Sequence, residues 1–317
     1  MNRWKDTYDL PTVAEARRKI REAFGELEFV GDGHRYFLGE RELECVSSVV
    51  GRWSSADEEA MMESALRREW RLATENPAHT AKTREEIEAE WNEASRSACE
   101  FGTACHAFGE GMFWWMTGQE DRIPEEARGK FGTDGPAMDL LSDEEKGIVE
   151  FWNDIPDCYI PVLAEAKVFN TKEAHAYAGT FDLLFYYNCP EDASKSGFAI
   201  FDYKTNKALE SSFVKKRIES GRTRDEDFMK EPFRNLIEEP QSHYALQLGL
   251  YQMALENIGI RIAGRRLIWV GSGEKRNPAV PDGKNYELRR LKDITATLRE
   301  ALKDLPESKG HKTEDRI

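Results

Sequence analysis

Cysteine is scarce in this sequence and unevenly placed. The 317 residues hold five, Cys45, Cys99, Cys105, Cys158 and Cys189. The number is odd and no C-x-x-C spacing occurs, which argues against a disulfide framework and a zinc ribbon. Reduced thiols are the simple reading. Long apolar runs are missing too. No stretch approaches the ~18 residues of a membrane span, and the opening MNRWKDTYDLPTVAEARRKI has no apolar signal core. A soluble cytoplasmic protein with no membrane partner is expected. No GxxxxGK[ST] loop occurs, since GSGEK at 271–275 lacks the spacing, so no helicase motor is expected. Positive charge is in deficit: 45 Lys and Arg against 59 Asp and Glu leave −14. That field disfavours nucleic acid in bulk, although a local basic groove can still hold it.

What is present reads as alternating helix and strand. Residues 12–24 have the spacing of a short amphipathic helix, and 27–50 alternate around Gly31-Asp32-Gly33 and Gly39 like a small antiparallel meander. Residues 57–75 read as helix. Thr83-x-x-Glu86 is a capping box that opens a helix to about residue 99. Gly102 is expected to interrupt it before a second helical stretch over 103–117. Residues 118–141 read as loop, and Ser142-x-x-Glu145 opens a helix to about 154. Strands are expected at 160–169, 176–187 and 197–204, then a long polar segment at 205–238. A helix at 240–258, a strand at 263–271, a helix at 291–304 and a polar tail at 306–317 complete the order. Strands and helices sharing one core imply an α/β fold. The divisions expected are an N-terminal helical and meander extension (1–80), a core (81–305) and the tail.

Two strand candidates carry acid. Asp182 lies in GTFDLLF and Asp202 in AIFDYK. Residues two apart on a strand share a face, so Asp202 projects with Lys204 while Phe201 and Tyr203 face the other way. Paired strands would bring Asp182 and Asp202 within reach of one cation. Close carboxylates in a half-dry site repel, and Mg²⁺ resolves that repulsion with oxygen ligands. The acid-x-Lys pattern alone decides nothing, because it occurs five times: 144–146, 165–167, 202–204, 282–284 and 307–309. Only Asp202-Tyr203-Lys204 ends an apolar strand and follows a Gly-x-x-Asp.

AGTFDLLF followed by FAIFDYKTNK resembles the core of the PD-(D/E)XK nuclease superfamily, in its RecB-like and phage-exonuclease branch. The branch's other marks are found at Gly102-Thr103-Ala104-Cys105-His106, at Glu165 in VLAEAKVFN, and at Gln247-Leu248-Gly249-Leu250-Tyr251. The resemblance covers residues 102–251, about half the chain. Each motif also has a plain reading: a packing histidine, an edge-strand acid paired with Lys167, an ordinary helix surface. Their joint order is what is specific.

The resemblance implies a restriction-endonuclease-like core, a central mixed β-sheet flanked by helices. It implies a metal-dependent DNA exonuclease, with a structure-specific endonuclease or a non-catalytic DNA-binding module as alternatives. Asp182, Asp202, the Tyr203 carbonyl, His106 and Glu165 would hold Mg²⁺ or Mn²⁺. Lys204 would orient the attacking water, and Gln247 and Tyr251 would position the DNA strand. Some relatives carry an iron–sulfur cluster on late cysteines; none follows Cys189, so no cluster is expected. A phage-type role in recombination, with a single-strand annealing recombinase as partner, is implied by analogy. Local basic clusters are expected to meet phosphates. These are Lys215, Lys216, Arg217, Arg222 and Arg224, and near the next strand Arg261, Arg265 and Arg266. Interleaved Glu219, Asp225, Glu226 and Asp227 permit the opposite reading, a self-neutralising loop. Trp114 and Trp115 could stack on bases, but core packing is the expectation.

Overall fold

A computed structural model gives the fold and describes residues 3–31, 33–173, 175–271 and 283–306. Helix α1 (Pro11–Phe24) precedes a meander of β1 (Leu27–Val30), β2 (Arg35–Leu38) and β3 (Arg41–Cys45). Helices α2 (Val46–Gly51), α3 (Glu58–Glu75) and α4 (Arg84–Met116) follow. The short α5 (Glu125–Arg128) and a small ribbon of β4 (Phe131–Gly132) and β5 (Gly135–Pro136) lead to α6 (Asp143–Asp154). The central strands are β6 (Tyr159–Asn170), β7 (Tyr177–Tyr187) and β8 (Gly197–Lys204). Then come α7 (Ser212–Glu219), α8 (Pro240–Glu256), β9 (Ile262–Val270), β10 (Tyr286–Arg290) and α9 (Thr295–Lys303). Among the described residues, no helix is long and apolar enough to cross a membrane.

The sheet is mixed and runs β1-β2-β3-β7-β8-β9-β10, with β6 also on β7. Strand β7 is its hub. β6 pairs antiparallel along nearly all of one edge. The other edge is shared: β3 pairs parallel at Tyr177 and Ala178, and β8 pairs antiparallel from Leu183 to Tyr187. Residues 179–182 fall between those two partners, so the sheet forks there. β8 and β9 are parallel, and β10 closes against β9 antiparallel. Helices flank this sheet. Phe151 and Trp152 of α6 pack on Phe185, Phe201 and Tyr203 of the central strands.

Several boundaries differ from the sequence reading. Gly102 does not interrupt α4, which runs unbroken for 33 residues. A helical glycine costs only about 1 kcal/mol, and the reciprocal Thr83–Glu86 capping box and a buried second half hold the helix on both sides. The meander ends at Cys45, where Val46–Gly51 turn helical. Loop 118–141 contains α5 and the ribbon. The polar segment 205–238 contains α7, started by Ser211, whose hydroxyl accepts from Val214 N at 3.3 Å. Strand β10 was not foreseen: YELRR hides its alternation under charge, as edge strands commonly do. The last helix begins at Thr295 rather than 291. Beyond Pro306, the polar tail lies outside the described residues.

Candidate active site

The fork in the sheet is where the sequence-predicted acids meet. In register, Ala164 faces Leu183 and Ala166 faces Phe181, so Glu165 stands opposite Asp182. Opposed residues of an antiparallel pair share a face. Glu165 has φ +47°, rare for a non-glycine residue. Backbone held in that region is costly and concentrates at functional sites. On the other side, the β7–β8 pairing stops at Leu183–Phe201. One step further, the Asp182 carboxylate replaces the missing strand: Tyr203 N donates to Asp182 Oδ2 at 2.6 Å.

Helix α4 brings an imidazole. His106 Nδ1 lies 3.2 Å from Asp182 Oδ1 and 3.7 Å from Glu165 Oε1. One turn on, Gly109 sets how close the helix comes to the sheet. A Cβ there would lie 2.9 Å from Tyr203 Cζ and nearer still to Cε2. The absent side chain lets α4 rest on the Tyr203 ring, which is fully buried with its hydroxyl accepting from Trp152 Nε1 at 2.8 Å. The ring stands edge-on to His106, 6.2 Å between centroids, while the Tyr203 backbone meets the Asp182 carboxylate.

One ligand-type atom from each of His106, Glu165 and Asp182 lies within 4.8 Å of the others. Asp202 stands outside that trio, ion-paired with Lys204. Its Oδ2 is buried and is the atom that meets the Lys204 ammonium. The charges perturb one another. Burial opposes the His106 charge, but Asp182 and Glu165 outweigh it and lift its pKa to about 10. Burial pushes Glu165 up to about 7. Burial also works against ionised Asp182, yet His106, Lys204 and the Tyr203 N–H hold it below its ordinary value. Burial and the Asp182 charge carry Asp202 up to about 6. Lys204 is raised, because Asp202 and Asp182 outweigh its burial.

On α8, Gln247 Nε2 donates to Tyr251 OH at 3.0 Å. The Tyr251 ring is buried over Gly179, in the gap of the fork, where a Cβ would come within 2.7 Å of it. The sequence reading missed Tyr244, one turn before Gln247. The Lys204 ammonium sits 4.5 Å from the centre of its ring, and its hydroxyl donates to Asn206 Oδ1 at 2.5 Å. Its helical spacing from Gln247 was the available signal.

The expected phosphate contacts fare unevenly. Lys215 pairs with Glu210, Arg217 with the fully buried Asp227, and Arg224 with Glu226. Lys216 and Arg222 have no ion pair among the described residues. Arg265 is buried and pairs with Asp293 at 3.4 Å, so its guanidinium is shut off from solvent, which corrects the expectation for it. Arg261 donates to Ser194 O and Ser196 O at 2.7 and 2.9 Å, bracing a turn. Arg266 donates to Tyr159 OH at 3.1 Å. Trp114 and Trp115 are core residues, as expected.

No family model and no curated protein matches the chain. A solved structure from Eubacterium rectale, named "Putative exonuclease", is similar at 12% identity over 63% of this chain. The match spans 64% of that protein, under two thirds of its length, with a TM-score of 0.34. So slight a likeness carries no argument about this chain.

Proposed function

We propose that the chain is a deoxyribonuclease that hydrolyses phosphodiester bonds from DNA ends with Mg²⁺ or Mn²⁺. The observation that carries the reading is the meeting of His106, Glu165 and Asp182 within 4.8 Å, beside the Asp202–Lys204 pair. The donor set, carboxylate oxygens with one imidazole, suits such a cation. His106, Glu165 and Asp182 would hold the ion, joined by Asp202 and the Tyr203 carbonyl. Bound there, it would supply Lewis acidity toward a phosphoryl oxygen.

The remaining work falls to the chain's own groups. The Lys204 ammonium, fixed between Asp202 and the Tyr244 ring, orients the attacking water and meets charge gathering on the phosphate. Gln247, anchored by Tyr251, places the strand backbone. Lys216 and Arg222, on the polar segment, add phosphate contacts.

The test is cleavage of end-labelled linear DNA and closed circular DNA with Mg²⁺, Mn²⁺ or EDTA, wild type beside Lys204→Ala. Metal-dependent loss of linear DNA alone, abolished in Lys204→Ala, is the expected result, and the label gives polarity. Cutting of the circle would make the protein an endonuclease. Full activity in Lys204→Ala would sink the site assignment.

A further inference from the structure

The outer half of α4 has no packed face. Residues 88–101 are all exposed, about four turns with solvent on every side. Ile87 before them and Cys105 after them are buried. Helical stability in proteins comes mostly from packing one face, and this stretch carries such a face. Trp91, Ala94, Ala98 and Phe101 recur at spacings of three and four. Trp91 is 41% exposed and Phe101 39%. The opposite side is polar, with Arg96 donating to Glu93 Oε2 at 2.6 Å and standing 3.7 Å from Glu100.

The order of residues says what covers it. Trp91-Asn92-Glu93-Ala94-Ser95-Arg96-Ser97-Ala98-Cys99-Glu100-Phe101 is nearly palindromic about Arg96. Aromatic matches aromatic at 91 and 101, alanine matches alanine at 94 and 98, and serine matches serine at 95 and 97. A two-fold axis relates residue i of one copy to j of the other and j to i. An axis beside the helix at the level of Arg96 sets Trp91 against Phe101 of the partner subunit. It sets Ala94 against Ala98 of the partner subunit. The alanines permit close approach at the centre, and the aromatic pairs close both ends. Ser95 lies on one flank and meets the partner subunit's Ser95 across the axis, while Arg96 points away. Charge argues against nucleic acid as the occupant. Residues 84–101 carry Glu85, Glu86, Glu88, Glu90, Glu93 and Glu100 against Arg84 and Arg96, 2 − 6 = −4.

We propose that this face of α4 is an antiparallel homodimer seam, occupied by the same face of a second copy. The seam ends at Phe101, five residues before His106, so two candidate active sites would flank one helix pair.

Light scattering on the full chain tests this, with twice the 36.4 kDa chain mass expected. Ala98→Arg places a charge at the centre of the seam and should yield the monomer mass with an unchanged circular dichroism spectrum; Trp91→Glu repeats the test if Ala98→Arg fails to fold. In a Cys99→Ser background, Ser95→Cys should give a disulfide-linked dimer on mild oxidation, and Arg96→Cys should not. A monomeric wild type across its soluble concentration range overturns the proposal. So does a dimer that survives both seam charges, or linkage through position 96 in preference to 95.

Discussion

The charges on the sheet and the charges on the 205–238 segment are handled in opposite ways. At the fork, Glu165, Asp182 and Asp202 are held by three different strands against one imidazole and one ammonium. They cannot drift apart, and burial with the neighbouring Asp182 charge raises the pKa of both Glu165 and Asp202. On the polar segment, four of the eight cations have an ion-pair neighbour among the described residues: Lys215 with Glu210, Arg217 with Asp227, Arg224 with Glu226, Arg234 with Asp225. Secondary structure can keep like charges close, because moving them would break a ladder or a packed helix. A loop has no such constraint and can match a charge wherever an opposite one lies near. Chemistry that needs carboxylates crowded together therefore belongs on the sheet.

Substitution at the fork should give the largest effect. Asp182→Asn or Lys204→Ala should lower DNA hydrolysis by about 10²–10³-fold while leaving DNA binding in EDTA intact, measured by single-turnover cleavage and by anisotropy. Equal loss of binding and cleavage would instead make these residues part of a binding surface. Arg217→Ala reverses the pattern. It strands Asp227, which is fully buried, and removing one partner of a buried pair costs about 3–5 kcal/mol. Denaturant unfolding should register that loss, with cleavage per folded molecule unchanged.

Gly109→Ala probes how the fork is built. The added methyl collides with the Tyr203 ring, and overpacking of this kind costs about 1–3 kcal/mol. Since His106 rides on the same helix one turn away, activity should fall more than the fraction unfolded accounts for. The Glu165 charge gives a pH signature in metal-free protein. Its folded pKa of about 7 lies above the ordinary carboxyl range, chiefly through burial. Below the ordinary value the carboxyl is neutral in both states and contributes nothing. Above about 7 the folded state carries a charge its site disfavours, so stability is lost as pH rises through that window. In EDTA, Glu165→Gln should melt above wild type at pH 8, and the difference should shrink as pH falls toward 4.5.

Strand periodicity made part of this arrangement readable. Asp202 and Lys204 had to share a face, and the apolar runs around Asp182 and Asp202 had to be core strands. The expectation of a mixed sheet flanked by helices matches the fold. What the alternation could not reveal was the fork, because it depends on β3 and β8 sharing one edge of β7. The positive φ of Glu165 and the unbroken passage of α4 through Gly102 are likewise tertiary outcomes, set by what packs nearby. The basic clusters were visible as composition. Their pairing was not, since Arg265 meets Asp293 only once β9 and the segment before α9 are folded together.

The smallest expected effect lies at Lys216 and Arg222, which have no ion pair among the described residues. If they meet phosphates, each contributes through counterion release and carries no base information. The double variant Lys216→Ala, Arg222→Ala should weaken DNA binding only modestly at low salt and to the same degree for every sequence. It should also flatten the dependence of log K on log salt by about 2 × 0.9 for duplex DNA. Lys215→Ala, already matched by Glu210, should leave the slope unchanged. Equal slopes for the two variants would erase the distinction between matched and unmatched cations, and the phosphate contacts would have to be sought nearer the fork.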